Sequence, residues 1–124
     1  MTTPDIRRSA HNPVDVEWQI EDTKDFITKG VDIVTAAEER AKQARTDFDL
    51  AYALAIGRAT GPAVDHKYFA TAETIDERRE AEAAEIAFRH AERKMHALDK
   101  ALFAWQSILK SASGMYNAAG VGQR

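Results

Sequence analysis

The chain has 124 residues, no cysteine and a formal net charge of −3. That length suits one small domain. The missing cysteines exclude disulfides, thiolate metal sites and cysteine nucleophiles, and the acidic balance argues against a protein that coats nucleic acid by charge alone. Hydrophobic residues make up 44% of the chain, but 23 of them are alanine. Alanine favours helix and buries little area, so the expected core is long and thin.

Residues 1–11 are polar and aperiodic and read as a flexible arm. They contain no apolar run of the secretory type, and no stretch of the chain approaches the length of a membrane span, so the cytoplasm is the expected location. The next segment, HNPVDVEW, starts a helix: Asn12 is a good N-cap, and Pro13 suits the first helical position. Asp15, Glu17, Glu21, Asp22 and Asp25 then favour the positive end of the helix dipole. Val14, Val16, Trp18 and Ile20 also alternate as a strand would. A strand here would need a second copy of the chain to pair with, so helix is the reading adopted.

From Ile20 a seven-residue repeat runs through Ile27, Val34, Ala41, Phe48 and Ala55, with Gly30, Ala37, Ala44 and Ala51 three residues after four of its members. This is an a/d seam with one small position per heptad, which lets two helix backbones approach closely. The first helix, about 12–60, is expected to stop at Gly61-Pro62, where glycine takes the left-handed cap and proline cannot continue the ladder. A turn over 61–65 leads into a second helix of about 66–113, with Thr74 and Glu77 at capping-box spacing. Along it Ala84, Ala91, Leu98, Trp105 and Ala112 repeat every seven residues, joined by Ala87, Ala101 and Ile108. A neighbouring row holds Phe88, Met95, Leu102, Leu109 and Tyr116. Gly114 is a stop signal, and 114–124 reads as a flexible tail.

The fold class is therefore all-α: a long antiparallel helical hairpin of the coiled-coil kind over 12–113. Its core would be Ile27, Val34, Ala41, Phe48, Leu98 and Trp105. Antiparallel pairing would set the acidic 15–25 segment beside the basic end of the second helix, orienting the pair more than stabilising it. Two helices form one thin layer of contact, so a homodimer, a four-helix bundle, is expected, with Phe88, Met95, Leu102, Leu109 and Tyr116 as the self-association face.

Nothing in the sequence indicates an enzyme. There is no HExxH, no Glu-x-x-His pair and no phosphate-binding glycine loop, and Glu92 with His96 reads as a surface contact. No catalytic residue, metal, cofactor or small-molecule substrate is expected. Arg89, Arg93, Lys100 and Lys110 share one broad face and are the candidates for contact with nucleic-acid phosphates, with Trp105 or Tyr116 stacking on bases. The alternative is that these cations balance the acidic first helix and that Trp105 is core.

The stretches TDFDLAYALAIGRATGP and ERREAEAAEIAFRHAERKMHALDKALFAWQSILKSAS resemble small helical proteins from the early regions of tailed bacteriophages. The likeness covers about residues 35–112. It rests on the aromatics Phe48 and Tyr52, the glycine turn, the Ala/Glu/Arg-rich helix, and the closing Leu102, Trp105 and Ser107. In place of a more basic closing segment stands SGMYNAAG. The resemblance implies a non-enzymatic accessory protein associated with replication or recombination, working in the host cytoplasm on a phage or host protein. Direct nucleic-acid binding and host-directed inhibition are the alternative functions.

Overall fold

A computed structural model describes the backbone of residues 12–122 and the side chains of residues 12–114. The proposed arm, 1–11, lies outside the described residues. Three helices follow one another: α1 Pro13–Arg58, α2 Ala63–Glu73 and α3 Ile75–Gly122. No strand occurs among the described residues. Residues 14–20 are helical, and the cap explains why. The Val14 N–H donates to Asn12 Oδ1 at 3.0 Å, and the Val16 N–H donates to the Asn12 carbonyl at 3.0 Å. The first satisfies a donor that a helix start leaves open, and the second is the first regular bond of the helix.

The chain forms two compact units. The first joins the chain up to Val31 with the chain from Lys94 onward, and the second is Asp32–Arg93. In the first, the start of α1 packs on the later part of α3. Val16, Ile20 and Thr23 are buried, and Ile27, Gly30, Met95, Leu98, Leu102, Trp105 and Leu109 are half-buried. Gly30 faces Met95 so closely that a Cβ on Gly30 would run into the Met95 sulfur. One missing side chain thus makes room for one long one, and the contact sets the register. Stepping out from it along antiparallel helices brings Ile27 level with Leu98, Thr23 with Leu102 and Ile20 with Trp105. All six residues are withdrawn from solvent.

In the second unit the core is almost purely alanine: Ala41, Ala55, Ala70, Ala81 and Ala84 are buried. Half-buried Val34, Ala37, Ala44, Phe48, Ala51, Phe88 and Ala91 fill out the seam. The turn falls where Gly61-Pro62 places it. Gly61 has φ of +88°, and the Asp65 N–H donates to the Pro62 carbonyl at 2.9 Å. His66 adds a tie that the sequence reading lacked, since its Nε2 lies 3.1 Å from the Gly61 carbonyl.

Past the turn, the structure differs from the sequence reading in two places. The second helical segment is two helices joined at Thr74, which precedes α3 as expected but turns its side chain back onto α2 instead of capping forward. Its N–H and its hydroxyl both donate to the Ala70 carbonyl, at 3.1 and 2.7 Å, and its own carbonyl accepts from the Arg78 N–H at 3.0 Å. A threonine that bonds back to the fourth preceding carbonyl bends the chain, and here it marks the junction between α2 and α3. Glu77 does not complete a capping box: its Oε2 is buried without a hydrogen-bond partner. Further along, α3 runs through Gly114, where a stop was expected, to Gly122.

The charge pairing is also more local than expected. Among the described residues, no ion pair joins the 15–25 acids to the cations of 89–110. Of the six ion pairs among the described residues, three lie within α1 and two within α3, Glu38–Lys42 at 2.9 Å being the shortest. The exception, Arg58–Glu73 at 4.0 Å, links α1 to α2. Side chains three or four residues apart meet on one helix surface, whereas a pair across the seam must reach over the alanines.

Candidate interaction surfaces

Two helices can bury only what lies between them. Among the described residues, Val16 and Ile20 are the only buried hydrophobic residues larger than alanine. The large seam residues Ile27, Val34, Phe48, Leu98 and Trp105 stay half-buried, while Ala41 is buried. Phe88, Met95, Leu102 and Leu109 are half-buried as well, and Met95 meets Gly30 across the seam. The row assigned to self-association therefore lines the hairpin seam while keeping an open edge. Tyr116 lies outside the described side chains. Ala87 is exposed, whereas Ala101 and Ile108 are half-buried.

Beyond the seam the surface carries large apolar side chains that the heptad reading left aside. In the first unit Trp18 is 66% exposed and Phe103 is 73% exposed. In the second unit Leu50, Leu54, Val64, Tyr68 and Ile75 are all exposed. Their signal was present in the sequence: each is a large apolar residue off the seven-residue rows, and such a residue has no place in a two-helix core.

In the second unit an open groove of about 740 Å³ lies between α1 and α3, lined by residues that include Ala41, Arg45, Phe48, Glu85, Ile86 and Arg89. Its floor is small because Ala41 and Ala81 leave space beside Phe48. The Arg45 guanidinium lies 5.6 Å from the Phe48 ring centroid, and Tyr52 meets that ring edge-on with centroids 6.2 Å apart. The groove's arginines are already engaged: Arg45 with Asp49 at 3.4 Å, Arg78 with Glu82 at 3.5 Å, and Arg89 with Glu85 at 3.0 Å. Neighbouring Lys42 has its pKa raised, first by the hydrogen bond to Glu38 and then by that carboxylate's charge.

The four cations assigned to phosphate contact, Arg89, Arg93, Lys100 and Lys110, are all exposed. Arg89 is set apart by its bond to Glu85. Among the described residues no group of three or more histidine, aspartate or glutamate side chains is placed to hold a metal ion, and no helix is long and apolar enough to cross a membrane. Neither a known family, nor a curated protein, nor a solved structure matches this chain. What the chain does must therefore be argued from its own surfaces.

Proposed function

We propose that this chain is a non-enzymatic helical interaction protein whose seam is completed by a second copy, giving a four-helix bundle. The observation that carries the proposal is the set of large seam side chains left half-buried: Met95, Leu98, Leu102, Trp105 and Leu109 in the first unit. Completing the burial of such side chains is worth roughly 1 kcal/mol each, about half of the ~1.5–3 kcal/mol for a whole large apolar side chain. Five per copy supply roughly 10 kcal/mol per dimer towards association, from which the cost of immobilising two chains is subtracted. A second copy brings the same surfaces in a closed, symmetric arrangement, which leaves no open end to polymerise.

The dimer then presents the exposed apolar side chains to another protein. With the resemblance to early-region phage proteins, this supports the role of an accessory factor bound to a phage or host protein of DNA metabolism in the host cytoplasm. Equilibrium sedimentation of the full chain tests the first part: a dimer at micromolar concentration is expected, and a fully helical, cooperatively unfolding monomer there would refute it. Expression of a tagged chain in a bacterial host, followed by affinity capture with a Trp18→Ala, Leu54→Ala, Tyr68→Ala variant as control, tests the second. A replication or recombination protein captured by the parent and lost by the variant is expected. Identical captures from both would remove the apolar surface from the proposal.

A further inference from the structure

The outer side of α3 in the first unit sets an exposed aromatic ring between exposed cations. His96, Lys100, Phe103, Ser107 and Lys110 follow one another at intervals of four, three, four and three residues, and all are exposed. That spacing makes one straight stripe along a helix. It lies on the side away from the seam, which in the same stretch runs through Met95, Leu98, Leu102, Trp105 and Leu109. No acid stands on the stripe, and Asp99 on its flank is the one acid between Lys94 and Lys110.

Two features mark the stripe. First, Lys100 and Lys110 form no ion pair among the described residues, whereas Arg89, earlier on α3, is held by Glu85. Lys29, Arg40, Lys67, Arg79, Arg93 and Lys94 also lack one, but none of them lies within about two turns of Phe103 along α3. Second, Phe103 is 73% exposed, the highest value among the exposed large hydrophobic side chains. Of its neighbours one turn away, Ser107 is small and Lys100 brings its charge beside the ring. Lys100 and Lys110 bracket it over about 15 Å of helix.

We propose that this stripe binds single-stranded nucleic acid, with Lys100 and Lys110 on phosphates and Phe103 stacked on a base. Free lysines gain by displacing the counterions condensed on a phosphate backbone, which lysines already paired with carboxylates do less well. An exposed ring attracts an unstacked base whatever its identity. A duplex keeps its bases stacked and offers the ring no face, so the aromatic adds affinity only for the single strand. The surface is independent of the seam, and a second copy covering the seam leaves it open.

The test is fluorescence anisotropy of a labelled oligo(dT) and of a labelled duplex with the full chain, between about 50 and about 200 mM salt. Micromolar binding of oligo(dT) is expected, with a log–log salt slope near about −1.4, as two lysines at roughly 0.7 each require. Lys100→Ala and Lys110→Ala should each flatten that slope by roughly 0.7. Phe103→Ala should weaken oligo(dT) binding by roughly five- to 150-fold and leave duplex binding unchanged. Phe103 is exposed, so the variant is expected to fold, and circular dichroism verifies that. The proposal is overturned by no oligo(dT) binding at the lower salt, by an unaltered Phe103→Ala variant, or by poly-glutamate competing as well as unlabelled oligo(dT).

Discussion

Replacing Gly30 with alanine sets two opposed effects against each other, and the structure says which prevails. Within a helix, alanine is more favourable than glycine by roughly 0.5–1 kcal/mol. Here, however, the new Cβ would overlap the Met95 sulfur, with the Met95 Cε and Cγ atoms at 3.5 and 3.6 Å. Overpacking costs roughly 1–3 kcal/mol, and an unbranched methionine that can change rotamer holds it to the lower half of that range. The net expectation for Gly30→Ala is a destabilisation of about 1 kcal/mol. Truncating the opposing side chain removes the clash but not the backbone gain. In a Met95→Ala background, the same Gly30→Ala change should therefore stabilise by roughly 0.5–1 kcal/mol. The sign reverses, and the double-mutant cycle should return a coupling of about 1–2 kcal/mol. Urea unfolding followed by circular dichroism, at fixed chain concentration, measures all four proteins. A Gly30→Ala that stabilises both backgrounds equally would mean that Gly30 does not face Met95, and the register of the first unit would fall with it.

Four further expectations follow from single residues. Gly61→Ala should cost about 1–2 kcal/mol, because Gly61 has φ of +88° and an L side chain is strained there. By contrast, Gly114→Ala should stabilise by up to about 1 kcal/mol, since Gly114 lies inside α3 with open space around it. A loss at Gly114 in the same urea assay would argue that the helix ends there. Asn12→Ala should cost about 1 kcal/mol through loss of the bond from the Val14 N–H, and hydrogen exchange should show the faster opening confined to the first turn of α1. For Lys42, Glu38 favours the charged ammonium and raises its pKa in the folded chain. The associated stabilisation is therefore complete below the unfolded value of 10.5 and is lost as the pH rises through the higher folded value. The Lys42 ammonium titration followed by NMR should move to lower pH in Glu38→Gln, and an unmoved midpoint would contradict the assigned cause.

The two long helices were legible because their signals are local. Asn12-Pro13 opens α1 and Gly61-Pro62 closes the turn through backbone chemistry that needs no distant partner, and the seven-residue rows name the faces. Thr74 stands before a helix as read, but its side chain does not cap it, for a related reason. A threonine three residues before a glutamate suits a helix start, but the same hydroxyl can bond backward once α2 already precedes it. The stripe around Phe103 was legible only in part. Lys100 and Lys110 stood out by charge, whereas Arg89 looked equivalent to them until its bond to Glu85 was seen.

Periodicity alone could not say which side of the Ala84–Ala112 row meets α1. On a helix, the Ala87/Ala101/Ile108 set and the Phe88/Met95/Leu102/Leu109 row flank that line on opposite sides, and either makes a regular seam. In the first unit the contact is a matter of volume: Gly30 leaves a space on α1 that Met95 fills, and Leu102 and Leu109 are half-buried on that flank as Ala101 and Ile108 are on the other. The sequence alone determined that this chain makes long helices reversed at a glycine-proline turn. Which side chains are shared between those helices, and which are left for a partner, was decided only when two backbones came close enough for the size of one residue to matter.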